Sequence, residues 1–253
     1  MAFATINYHS RSMNKAASFN IVFPDDPAIA RPWGVFYLLH GLSDDHTIWM
    51  RRSSIERYVA GLPLVVVMPD GGRGWYTNAA IGYAYEDDLI NDVIGLVDRT
   101  FPVKAERSGR AIGGLSMGGF GAVKLGLKHP ELFASVSSHS GAFAFTHSEA
   151  AKAKALSYEF EWIFGKSPRG GPDDIFAIVE RIDHGRIPAL RFDCGTDDFL
   201  LDQNRAFHKH LETLHVRHEY REYPGGHDWA YWDLHVQEAV AFHMKNLDLG
   251  KRS

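Results

Sequence analysis

Five short apolar runs separated by helical periods constrain this chain more than any other feature. "GVFYLLH" (34–40), "LVVVMP" (64–69), "GRAIGGLS" (109–116), "FASVSSHS" (133–140) and "ALRFDCG" (189–195) are bounded by turn residues and partly β-branched, which suits strands covered on both faces. Between them "SSIERYVAG", "YEDDLINDVIGLVDRTF", "MGGFGAVKLGLKHP" and "FLLDQNRAFHKHLETL" carry apolar residues three and four apart, and "DWAYWDLHVQEAVAFHMKNL" closes the chain in the same way. In the second of these, Leu89, Val93, Leu96 and Val97 share one face, with Asp87, Asp88 and Asp92 on others, so that helix can lie on a sheet. The alternation is that of βαβ units and predicts a mostly parallel sheet with helices on both faces. Ahead of it, "FATINYHS" and "SFNIVFP", joined by "RSMNKAA", read as an antiparallel pair.

No repeat, low-complexity tract or long linker divides the 253 residues, so the expectation is one domain with insertions. Residues 141–188 break the alternation. "SEAAKAKALSYEFEWIFG" reads as a helix capped by Ser148 and stopped at Gly165, and "PDDIFAIVERIDHG" as one opened by Pro172 and Asp173 and ended at Gly185. An excursion of this size between two sheet strands is expected to form a small helical cap over one end of the sheet.

Inside the third run, Gly114-Leu115-Ser116-Met117-Gly118 matches G-x-S-x-G, where the serine occupies a sharp strand-to-helix turn. The pattern alone arises by chance about 0.14 times in a chain with this glycine and serine content. Its context is what gives it weight, because a strand precedes it and a helix follows. A serine hydroxyl barely ionises at neutral pH, so it needs a base, and the base needs an acid to orient it. In this architecture both should come later, in the order acid then histidine, on loops after strands. "LRFDCGTDDFL" supplies Asp197 and Asp198, and "REYPGGHDWAYW" supplies His227. Of fourteen histidines, His227 is the one placed between the last strand and the last helix. Asp198 is the favoured acid, since three residues past Gly195 it can reach back to the histidine, while Asp197 bonds the turn. An oxyanion would be received by the backbone N–H of Met117 and by that of Leu42, which follows His40-Gly41 at the end of an early strand.

Other chemistries find less support. "GGRGW" (71–75) lacks the Lys-Ser/Thr ending of a phosphate loop and reads as a loop beside the cleft. In "HKHLETLHVRH" (208–218), His208 and His210 fall on different faces of a helix and no carboxylate or cysteine completes a metal set. Neither a cofactor nor a metal is expected. A formal charge of −4 without a basic run argues against a nucleic-acid partner. The absence of a charged n-region, an apolar h-region or an 18-residue apolar window predicts a soluble chain without a membrane partner. The single cysteine, Cys194, excludes an internal disulfide and fits the cytoplasm. The sequence leaves oligomeric state open, a homo-oligomer included.

With "LHGLSDDHTIWM", "GGLSMGG", "CGTDDFL" and "YPGGHDW" in order, and with "GRGWYTNA" and "YEDDLINDVIGLVDRTFP" besides, the chain resembles the esterase D family of α/β-hydrolases over nearly its full length. That family includes S-formylglutathione hydrolases, tributyrin-type carboxylesterases, feruloyl and acetyl-xylan esterases, and mycolyltransferases. The resemblance implies an α/β-hydrolase fold and a small-molecule ester substrate handled through an acyl-enzyme, with Ser116 as nucleophile, Asp198 as acid, His227 as base, and Leu42 and Met117 as oxyanion donors. The wording is most similar to the tributyrin and feruloyl branch. It departs from the formylglutathione branch, whose corresponding loop reads closer to "LSGLTC". The expected function is a serine carboxylesterase for short-chain or aromatic acyl esters, with S-formylglutathione hydrolase as the alternative and a non-catalytic binding protein as the more distant one. For the acyl pocket the candidates are Trp75, Tyr76, Trp162 and Phe164, with Trp162 and Phe164 equally readable as pins that hold the cap to the body.

Overall fold

The computed structural model describes residues 1–148 and 157–249. Its sheet has eight strands: β1 (Ala2–Ser10), β2 (Lys15–Phe23), β3 (Gly34–Leu39), β4 (Leu64–Pro69), β5 (Arg110–Leu115), β6 (Ser135–His139), β7 (Ala189–Gly195) and β8 (Glu219–Tyr223). They lie side by side in the order β1-β2-β4-β3-β5-β6-β7-β8. The β1–β2 and β2–β4 pairings are antiparallel and all the others parallel. This is the mostly parallel sheet with an antiparallel N-terminal edge, the α/β-hydrolase arrangement, that the sequence pattern predicts.

The apolar runs are continuous because both faces of the strands are covered. In β3, Val35, Tyr37 and Leu39 point into one core with Phe120 and Phe192, while Phe36 and Leu38 point into the other with Val236 and Val240 of the last helix. Each such side chain, with no exposed surface or almost none, contributes about 2 kcal/mol by leaving water.

Two helices differ from their sequence reading. "YEDDLINDVIGLVDRT" is not one regular helix: Tyr85–Asp87 and Ile94–Thr100 are α-helical, and Asp88–Val93 between them has the wider π spacing. Leu89, Val93 and Val97 are buried as expected, but so is Asp88. The Tyr8 hydroxyl donates to both of its oxygens, at 3.0 and 2.8 Å, and Asp92 accepts from the Ser12 N–H at 2.8 Å. The acids turn inward to bind the first hairpin, and a π-turn accommodates the extra rotation. The helix expected from Pro172 to Gly185 spans only Ile175–Arg181. Asp174 caps it by accepting from the Phe176 N–H, and Asp183 accepts from the Gly185 N–H in a separate 3-10 turn. These short acid side chains compete with the helix for backbone donors at both ends. Of the helix expected over 148–165, Ser157–Phe164 is helical and ends at Gly165, which has φ +73°. Residues 149–156 lie outside the described residues.

Candidate active site

The parallel strands deliver their following loops to one end of the sheet, where open α/β sheets hold ligands. His40 follows β3, Ser116 follows β5, Ser140 follows β6, Asp198 lies beyond β7, and His227 lies beyond β8. Ser116 has φ +52° and ψ −116°, a conformation costing about 1–3 kcal/mol that persists only where the surroundings hold it. Its N–H donates to the His139 carbonyl at 2.9 Å, and its own carbonyl accepts from Phe120 and Ala142. The flanking glycines are obligatory here. A Cβ on Gly118 would stand 2.5 Å from the His40 carbonyl oxygen, and one on Gly114 would stand 2.7 Å from that of Leu39.

An unbroken hydrogen-bonded chain runs from acid to serine. His227 Nδ1 is 2.9 Å from Asp198 Oδ2 and 3.1 Å from Oδ1, and His227 Nε2 is 3.1 Å from Ser116 Oγ. Asp198 is buried. Burial alone would raise its carboxyl, but hydrogen bonds from His227, Ser140 and the Leu200 N–H outweigh that and hold it below the usual carboxylate range. Asp197 is exposed and gives its N–H to the Gly225 carbonyl at 2.9 Å. The His227 ring is flanked by Trp232, whose ring stands at 89° to it at 4.9 Å, and by Phe199 at 4.5 Å. Trp232 Nε1 also donates to Ser140 Oγ at 3.2 Å.

The backbone N–H groups of Leu42 and Met117 have no acceptor among the described residues. The turn that carries Leu42 is held from below. The Tyr76 hydroxyl accepts from the His40 N–H at 2.9 Å and donates to the His40 carbonyl at 3.2 Å. The Gly71 N–H donates to His40 Nε2 at 2.9 Å, which leaves the ring proton on Nδ1, 2.8 Å from the Gly41 carbonyl.

Above Ser116 opens a cavity of about 430 Å³. Of the four pocket candidates, Trp75 lines it and the other three do not. Tyr76 is buried beneath the turn that carries Leu42. Phe164 packs on Trp75 and Phe120, at 5.8 and 6.0 Å, as a pin in the core. Trp162 is half exposed, meets Tyr158 edge to face at 5.4 Å, and lines a separate groove with Arg73 and Tyr83. From the stretch 141–188, Phe145 and Phe160 reach the cavity, Phe160 buried against Trp75 at 6.3 Å. The sequence reading also passed over Asp44, Phe145, Glu159, Phe199, Trp229 and Trp232, all of which line this space.

Competing chemistries have little to work with. Burial pushes the Cys194 thiol far up, with Asp198 and Asp193 adding to it. Among the described residues no three His, Cys, Asp or Glu side chains gather as a metal site. In the 208–218 segment His208 Nδ1 lies 2.7 Å from His218 Nε2, and His210 Nε2 lies 3.2 Å from the Phe176 carbonyl oxygen. No described helix is long and apolar enough to cross a membrane.

Residues 10–243 match the family model described as putative esterase. The chain belongs to this esterase family. An acetyl esterase of Caldicellulosiruptor saccharolyticus is 28% identical to this esterase over 98% of the chain and all of that protein. Esterase Rv1288 of Mycobacterium tuberculosis is 33% identical over 82% of the chain, but that match spans 52% of the mycobacterial protein. Among solved structures, the fluorophosphonate-binding serine hydrolase FphF of Staphylococcus aureus superposes with a TM-score of 0.86 at 31% identity, covering 96% of this esterase and 98% of that chain. The S-formylglutathione hydrolase FrmB of the same organism gives 0.85 at 30% identity, with the same coverage. The protein is a carboxylic ester hydrolase of the serine type.

Proposed function

We propose that this esterase cleaves esters of short or flat acyl groups, with Ser116, His227 and Asp198 as its catalytic triad. His227 Nε2 takes the Ser116 proton as Oγ attacks the ester carbonyl, and the oxyanion forms against the N–H groups of Leu42 and Met117. The imidazolium, steadied by Asp198, returns the proton to the leaving alcohol oxygen. Water, deprotonated by the same histidine, then attacks the acyl-enzyme and releases the acid. The observation that carries this reading is the continuous chain from Asp198 through His227 to Ser116 at the floor of an aromatic-walled cavity. The stretch 141–188 acts as the cap of a single domain, supported by Phe145 and Phe160 reaching that cavity. A cytoplasmic setting is supported by the lone, buried cysteine.

The test is Ser116→Ala, which should remain folded and lose at least about three orders of magnitude in esterase turnover. A fluorophosphonate should add to Ser116 and to no other residue, as peptide mass analysis would read. Retention of more than a tenth of the turnover would dismiss the nucleophile. The likeness to FrmB supports a second reading, hydrolysis of S-formylglutathione, by the same machinery with a thiol as leaving group. A side-by-side measurement of kcat/KM for butyryl ester and formylglutathione decides between them.

A further inference from the structure

Among the described residues, the walls of the cavity above Ser116 carry charge of only one sign: Asp44 and Glu159 line it, and no described lysine or arginine does. The two acids differ in how they are satisfied. Glu159 is gripped from behind by Arg73, Nε to Oε1 at 2.9 Å and Nη2 to Oε2 at 2.7 Å, and Arg73 itself faces the neighbouring groove with Tyr83 and Trp162. Asp44 has no hydrogen-bond or ion-pair partner for its carboxylate among the described residues. Burial pushes its carboxyl up, and Arg52 favours the ionised form only at longer range. Asp44 is half-buried on the turn that presents Leu42, its N–H donating to the Gly41 carbonyl at 3.3 Å. A half-buried carboxylate with a cation only at longer range is short of a close counter-charge, and the cavity beside it is where one can be supplied.

Six aromatic rings, Trp75, Phe145, Phe160, Phe199, Trp229 and Trp232, line the cavity as well, alongside Leu42, Leu115, Met117, Ala142 and Leu200. Aromatic faces carry negative potential and attract a cation within about 6 Å, most strongly when water is excluded. A neutral alkyl group gains only apolar burial in such a space. An anion meets an unpaired carboxylate and ring faces of its own sign. Resting on the ester-hydrolase reading above, we propose that the cavity selects esters bearing an alkylammonium group a few bonds from the ester carbonyl, with Asp44 as the specificity-determining charge and the aromatic walls as the cage.

The experiment compares butyrylcholine with 3,3-dimethylbutyl butyrate, its neutral isostere, and with a butyryl ester of equal length ending in a carboxylate, at mildly alkaline pH and low salt. The expected kcat/KM is at least about fivefold higher for the cationic ester than for the neutral one, lower again for the anionic one, with the difference carried by KM. In Asp44→Asn the cationic-to-neutral ratio should fall at least about threefold. Binding is read separately in Ser116→Ala by quenching of tryptophan fluorescence, choline against 3,3-dimethylbutan-1-ol, so the cation preference is scored even where turnover is absent. Loss of turnover on all three esters with choline still bound preferentially would sink the triad reading and leave the cage. Turnover of the neutral ester with a ratio near one, or equal binding of choline and its neutral isostere, overturns the cage, and an unchanged ratio in Asp44→Asn overturns the assignment to that residue.

Discussion

Lys124 Nζ lies 2.7 Å from both the Tyr76 carbonyl oxygen and Thr77 Oγ1, though the side chain has no exposed surface at all. Glu86 at 3.2 Å and Asp173 at 3.3 Å complete its surroundings. One buried ammonium therefore ties the helix after Ser116 to the loop bearing Trp75, to Glu86, and to Asp173 within the stretch 141–188. Removing it leaves buried Glu86 and partly buried Asp173 with less compensation, which costs about 3–5 kcal/mol where a buried pair is broken. Lys124→Met is expected to lower the unfolding free energy by that amount, read as a lower urea midpoint at unchanged slope. A loss under about 1 kcal/mol would show that Lys128, 2.8 Å from Glu86, suffices alone.

His243 should make the protein acid-sensitive. Its ring is fully buried between Ser135 Oγ at 2.8 Å and Ser137 Oγ at 2.9 Å, and burial, with His139 and Arg191 adding to it, pulls its pKa from 6.5 down to about 3. Between those values the unfolded chain binds a proton that the folded one refuses, so stability is full above the unfolded value and falls with pH at about 1.4 kcal/mol per unit. Urea unfolding at about pH 7 and pH 5 should show wild type losing roughly 2 kcal/mol more than His243→Asn. Equal losses would mean that the native ring accepts the proton.

The adjacent aspartates should separate cleanly. Asp198→Asn keeps the shape but loses the carboxylate that fixes the His227 tautomer, and turnover is expected to drop about 10³- to 10⁴-fold. Asp197, exposed and engaged through its backbone, should tolerate Asn with less than about a tenfold change. The reverse order in steady-state kinetics would transfer the role to Asp197.

The acyl profile should respond to Phe160 and ignore Trp162. With about 430 Å³ available, acetyl to butyryl esters are expected to react well and C8 esters poorly, because a buried methylene gains only about 0.8 kcal/mol and loses more when it clashes. Phe160→Ala should extend activity toward longer chains in a p-nitrophenyl ester series. Trp162→Ala, outside the cavity, should leave the series unchanged within about threefold. A wild-type optimum at C10 or beyond would contradict this account.

The residues that the sequence made legible are those whose role is written in local backbone. Ser116 announces itself through the glycines its turn requires, and His227 through its place between strand and helix. The sheet was equally readable, because strands buried on both faces leave unbroken apolar runs. The pocket was not, since it depends on which way a short helix is rotated. Phe160 and Phe164 are four apart and share the inward face, and Trp162, two residues from each, is carried round to the solvent side. That spacing was present in the chain, but size drew attention to the tryptophan. Asp44 and Glu159 carried no local signal. Their position against the cavity exists only once β3 and the cap have met. The π-turn at Asp88–Val93 arises in the same way, from a hairpin eighty residues earlier in the chain that claims the acids.

Trp75 and Tyr76 are chain neighbours, both with positive φ, and they face different duties: one ring walls the substrate cavity, while the next one's hydroxyl clasps both backbone groups of His40. A lineage drifting toward a new ester therefore has unequal freedom on its two walls. Mutations on the proposed cap, at Phe145 or Phe160, can be sampled at little risk to rate acceleration, whereas any backbone adjustment at Trp75 is transmitted one residue on to the His40-Gly41-Leu42 turn, proposed above to receive the oxyanion. Diversification of substrate range should accumulate on the cap, and laboratory libraries that randomise position 75 should yield mostly slow enzymes rather than redirected ones.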